Sequence, residues 1–249
     1  MMAEFQRRIE EELRVRTFPV GVKLLKSASE APQNVKHVPG KVTVCQLSTL
    51  ARLHGLTYLA TEAEIECKRG AANIGLRELT LKECVEADAY VHFVNEEAAR
   101  MAYEHFPYRL PPKSYEAVLM GPLKDMPIEP DLVLIACNAG QMLKVIGAAA
   151  WHDGKRLEFG SNGLYGICGE AIAQSILTGR VSVAFPCWGA RRTALYLDEE
   201  LVGVIPFKNI EEWLEGLEYT RKTGHPYPTP TWLLIPPPPE PHVKLKAKQ

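Results

Sequence analysis

At 249 residues the chain is long enough to bury a sizeable core, in one large domain or two small ones. Its composition, 46% hydrophobic and 24% charged, is that of a globular protein, and a formal net charge of −1 excludes a broad electrostatic grip on nucleic acid or an anionic membrane. No apolar run approaches the roughly 20 residues a membrane span requires, and the charged start MMAEFQRRIEEELRVR lacks the apolar stretch of a secretory signal, which together predict a cytoplasmic protein.

Taken in chain order, Phe5, Ile9 and Leu13 recur at a helical interval and predict an N-terminal amphipathic helix over residues 1–16. TFPVGVKLL (Thr17 to Leu25) reads as a strand and Ser27 to Gly40 as a polar loop. Cys45 to His54 reads as a short helix stopped by Gly55, followed by an extended run from Leu56 to Glu66. Tyr90 to Val94 reads as a strand leading into a helix capped by Asn95. Strands follow at Ala117 to Met120 and Asp131 to Cys137, the latter a continuous apolar run suited to burial on both faces. Ala139 to His152 is a buried helix, and Cys168 to Thr178 a short one closed by Gly179. Arg180 to Phe185 alternates as a strand, Thr193 to Phe207 suggests a hairpin turning near Asp198 to Glu200, and Asn209 opens a last helix. From Pro226 onward the density of proline predicts an extended, partly disordered arm able to dock on a partner.

The six cysteines are better suited to thiols, metal ligands or redox groups than to structural staples in a reducing compartment. Four of them fall into a repeat. Cys45, a helix, Gly55, an extended run, Cys67 and Gly70-Ala71 match Cys168, a helix, Gly179, an extended run, Cys187 and Gly189-Ala190. Phe93 and Asn95 then align with Phe207 and Asn209. The expected architecture is therefore an α/β (α+β) protein made by internal duplication. Two pseudo-symmetric mixed-sheet halves, residues 17–110 and 111–225, would carry short cysteine-bearing helices, with the arm at 226–249.

A pseudo-twofold axis between such halves would bring Cys45, Cys67, Cys168 and Cys187 together. Cys45 and Cys168 are expected at helix N-termini, where the dipole favours thiolate; Cys67 and Cys187 precede glycine turns whose N–H groups can bond a sulfur. Four converging thiolates would suit a [4Fe–4S] cluster, or less well zinc. The spacing matches neither a zinc ribbon nor a ferredoxin, so two other readings stand beside it: small hydrophobic core residues, or a disulfide or redox pair. Lys68, Arg69, Arg191 and Arg192 follow the matched turns and can neutralise an anionic ligand, or simply be solvated. Asn138 and Gln141 can direct polar groups into a pocket, although capping by Asn138 needs no ligand. The loop FGSNGLYGIC lacks the Gly-Lys-Ser/Thr of a P-loop, and the seven histidines form no H-x-x-x-H pair or H-E-x-x-H motif.

The PVGVKL start, the first cysteine helix, the C-x-x-G-A-A-N-I-G-L segment at Cys67 to Leu76, the strand leading to CNAGQ and the closing CGEAIA, GRVSV and CWGARR stretches together resemble the ArCR domain family of bacteria and archaea. The resemblance runs from about Pro19 to Phe207 and carries no reaction with it. The functional expectation is an iron–sulfur protein with an unidentified redox or small-molecule partner. The alternative is a small-molecule or anion-binding module in which the cysteines are core residues and Asn138, Gln141, Arg191 and Arg192 meet the ligand.

Overall fold

The computed structural model describes residues 1–229. The expected arm lies outside the described residues from 230 onward. The first helix, α1 (Met2–Leu13), leads to strand β1 (Val20–Leu25). Helix α2 (Val44–His54) opens at Thr43, whose Oγ1 accepts from the Gln46 N–H while its own N–H donates to Gln46 Oε1, and closes at Gly55 in the left-handed region. Then come β2 (Tyr58–Thr61), α3 (Lys68–Asn73), α4 (Leu81–Asp88), α5 (Glu96–Glu104), β3 (Ala117–Pro122), β4 (Leu132–Cys137) and α6 (Ala139–Ala150). A π-helical segment over Gly166–Ala173 runs into α7 (Gln174–Thr178), and β5 (Ser182–Ala184), α8 (Trp188–Thr193), β6 (Leu201–Pro206) and α9 (Ile210–Lys222) complete the described elements.

All six strands form one sheet in the order β2-β3-β1-β4-β6-β5, and every adjacent pair is antiparallel. The expected α/β class holds, but a single antiparallel sheet replaces two mixed ones. The order reads the same from either edge if β1, β2 and β3 are matched with β4, β5 and β6. This symmetry belongs to strand connectivity: α4 and α5 have no counterpart in the second half, and α6 and α9 none in the first. It also corrects the alignment of residues 92–106 with 206–220. Pro206 to Asn209 follows β6 as a short 3-10 turn, and the segment in the equivalent place is the 3-10 turn Leu123–Asp125 after β3.

Strand alternation explains why β4 is apolar throughout. Leu132, Leu134 and Ala136 pack on one face with Val20, Val22, Val118, Met120 and Val204 under α2 and the π-helical segment. Val133, Ile135 and Cys137 pack on the other face beneath α1, α6 and α9, with Ile9, Leu13, Val145 and Trp213. Two segments differ from their sequence reading. Tyr90 to Val94 is a turn, because the Asp88 carbonyl accepts from the N–H groups of Val91, His92 and Phe93 and Tyr90 adopts a positive φ. Residues 194–200 form no first hairpin arm; α8 ends at Thr193 and an irregular link enters β6.

That link is clamped to α2. Gln46 Nε2 and Thr49 Oγ1 donate to the carbonyls of Thr193 and Ala194 at 3.2 and 2.6 Å, and the Ser48 and Tyr196 hydroxyls share a bond of 2.8 Å. Arg52 is 2% exposed. Its guanidinium lies 4.0 Å over the Tyr196 ring, donates to Leu195 O at 2.6 Å and pairs with Glu200 at 3.1 Å. Removing one partner of a buried ion pair strands the other charge. Arg52→Ala is therefore expected to lower stability by about 3–5 kcal/mol in urea unfolding; a loss under about 1 kcal/mol, the range of an exposed pair, would show that the clamp bears little of the fold. Gly166 is needed for a close approach, since an added Cβ would collide with Phe185 O and lie 2.8 Å from Cys187 N. Gly166→Ala should cost about 1–3 kcal/mol in the same measurement, as overpacking does, and a neutral result would mean that the 185–187 backbone yields freely.

Candidate functional site

The clamp sets α2 against the end of α8 and the link beyond it, and the sulfurs meet in the cavity that these elements border. Cys45 sits in that first turn, Cys67 immediately precedes α3, Cys168 lies in the π-helical segment, and Cys187 immediately precedes α8. All four line one cavity of about 360 Å³, together with Val44, Arg69, His92, Leu164, Trp188 and Arg192. Cys45 and Cys168 are buried and Cys67 and Cys187 half-buried. Trp188, 66% exposed, stands at the mouth.

Each sulfur has its own surroundings. The Gly70 N–H donates to Cys67 Sγ at 3.3 Å, and Asn73 Nδ2 donates to Cys168 Sγ at 3.4 Å. Cys45 and Cys187 share a hydrogen bond, which holds the proton on Cys45 and leaves charge on Cys187. That bond and burial raise the Cys45 thiol well above its ordinary value. The same bond, with the N–H groups of Ala190 and Gly189 and the charge of Arg69, lowers Cys187 to about 6 against the opposing effect of burial. Burial, and then the neighbouring Cys67 and Cys187, push Cys168 up to about 12. Sequence reasoning expects thiolates at all four cysteines, with the helix dipole favouring Cys45 and Cys168. The structure reverses this for Cys168 and Cys45, because desolvation and a charged neighbour outweigh the helix dipole, and Cys187 takes the thiolate.

The iron–sulfur expectation is corrected here. Among the described residues no group of three or more histidine, cysteine, aspartate or glutamate side chains is arranged to hold a metal ion. Cys45, Cys67, Cys168 and Cys187 border a shared space, in which the Gly70 N–H and the Asn73 amide engage two of the sulfurs. All six cysteines are free thiols. Cys84 and Cys137 are buried in other parts of the core, as expected of residues outside the repeat.

The other candidates separate. Arg192 lines the cavity and has no hydrogen-bond or ion-pair partner among the described residues. Arg191 turns away and donates to the carbonyls of Leu197 and Glu200. Asn138 and Gln141 form the capping box of α6 at 2.9 and 2.8 Å; Gln141 also donates to Leu13 O, and Asn138 to the Tyr227 hydroxyl, both at 2.8 Å. Both cap α6, on the far side of the sheet from the thiols.

Sequence reasoning missed the polar support behind Arg69. Asp88, fully buried at the end of α4, accepts hydrogen bonds from Arg69 and the Tyr103 hydroxyl and lies 3.7 Å from His92 Nε2. The legible signal was Thr80, three residues before Glu83, a capping box that opens α4. No local pattern links Asp88 to Arg69. Among the described residues, no helix is long and apolar enough to cross a membrane.

Comparison with known proteins agrees with the segments that carry the resemblance. An uncharacterized protein of Methanocaldococcus jannaschii is 26% identical over 212 residues, covering 83% of this chain and 90% of its own length. No solved structure matches. The family model described as uncharacterised ArCR matches residues 8–216, which takes in all six strands and all four cavity cysteines, and the chain belongs to that family.

Proposed function

We propose that this protein binds a small anionic ligand in the four-cysteine cavity and presents the Cys187 thiolate to it. The observation that carries the reading is the coincidence, in one space, of four thiols with Arg69 and the unpartnered Arg192. A volume of about 360 Å³ lies within the range of small-molecule sites, which combine apolar walls with a few placed polar groups. Arg69 is held in place by Asp88, while Arg192 at the open side is unengaged and suited to pairing with an incoming carboxylate or phosphate. A low-lying thiolate is the form of cysteine that reacts with electrophiles. The same reading places the protein in a reducing compartment such as the cytoplasm, where such a thiol stays free.

Paired alkylating agents test the charge preference. Iodoacetate, an anion, should modify Cys187 faster relative to neutral iodoacetamide in the native chain than in the urea-unfolded chain, with the site assigned by peptide mass mapping. Arg192→Glu should abolish or reverse that preference. Equal ratios in native and unfolded protein would overturn the reading.

The pH dependence of iodoacetamide labelling gives a second test. The groups facing Cys187 are Cys45, Cys67, Cys168, Arg69, Arg192 and His92, with the buried Glu170 also close enough to feel its charge. Only the thiolate reacts, so the rate should rise with pH through a midpoint near 6. Cys45→Ala removes the hydrogen bond that most favours the thiolate and should move the midpoint upward. A wild-type midpoint near the free-cysteine value of about 8.5 would contradict the assignment of Cys187 as thiolate.

A further inference from the structure

From the contact between Cys45 and Cys187 across the wall of one ligand-sized cavity, we infer that they form a reactive dithiol whose substrates are low-molecular-weight disulfides bearing negative charge. The inference rests on the anion-site reading above and adds the substrate class and the identity of the second thiol.

The two groups divide the work that exchange requires. Cys187 immediately precedes α8 at the cavity wall and is half-buried, so a small molecule can reach it; Cys45 is buried in the first turn of α2, which packs against α8, and is the group that acts most strongly on the Cys187 sulfur. Cys67 and Cys168 also line the cavity, but the one is bonded to the Gly70 N–H and the other to Asn73, and neither shares a bond with Cys187. Arg192 stands where the charge of a carboxylate-bearing disulfide would lie.

The chemistry balances without a further reagent. The Cys187 thiolate attacks one sulfur of the disulfide, the S–S bond breaks, and the first thiolate leaves with the bonding pair. The mixed disulfide on Cys187 carries no charge, so the main influence holding the proton on Cys45 disappears. Cys45 releases its proton to solvent and its sulfur attacks Cys187, expelling the second thiolate. Two protein thiols are oxidised to one disulfide, and one small disulfide is reduced to two thiols. An excess of small thiol reverses both steps.

The test uses 5,5′-dithiobis(2-nitrobenzoate), a dianionic aromatic disulfide, on the full chain. In the fast phase the wild type should release two thionitrobenzoate anions per chain, keep no adduct in the intact mass, and yield a Cys45–Cys187 cross-linked peptide. Cys45→Ser should release one and retain the adduct on Cys187; Cys45→Ala serves if the serine variant does not fold. A wild-type product that keeps the adduct on Cys187, or joins Cys187 to Cys67 or Cys168, overturns the inference. If the iodoacetate preference survives that outcome, the anion-site reading stands and only the exchange chemistry falls. If the preference is absent as well, both fall.

Discussion

The buried clamp between α2 and the 194–200 link is the contact on which the site depends. Arg52 reaches across with its charge on Glu200, its plane on Tyr196 and a hydrogen bond to Leu195 O, while Ser48, Thr49 and Gln46 bond the same link one turn earlier. A guanidinium that is nearly inaccessible to water is costly to bury unless its donors are met. Here two are met, by Glu200 and the Leu195 carbonyl, and the plane rests on Tyr196, while Nε has no partner among the described residues. The arrangement fixes α2 against the end of α8 and the link, and so holds Cys45 and Cys187, carried by those elements, at one cavity.

Charge in the cavity follows from position more than from residue type. Two cysteines within a short distance cannot both ionise readily, so the proton settles on the more deeply buried one and the charge on the one that faces backbone N–H groups. A second polar layer, Asp88 with Tyr103, holds Arg69 so that its charge is directed rather than mobile. Burial raises Glu170, Cys168 and Tyr165 above their ordinary values, which disfavours further negative charge around Cys187.

Much of this was legible in the sequence where local chemistry decides. The stop at Gly55, the capping box of α6 and the unbroken apolar run of β4 each follow from a rule that acts within a few residues. The matched cysteines correctly indicated that four thiols share a space. Their chemistry was not legible, because it depends on which sulfur faces N–H groups and which is shielded from water. The strand read at Tyr90 to Val94 failed for a similar reason: β-favouring residues there are overridden by the Asp88 carbonyl, which gathers three N–H groups into a turn. The offset in the expected repeat comes from following helix caps past the last strand, where Asn95 and Asn209 look alike but belong to different parts of the connectivity.

The symmetric strand order has an effect at the sheet's margins. Its two outermost members, β2 and β5, have four and three residues, while each of the four strands between them has six. Unpaired backbone groups at a sheet's border are a template for another chain to add on, and short borders offer little of it. By placing its long, apolar strands in the middle and its briefest ones outside, the fold keeps its most adhesive backbone in the interior of the sheet.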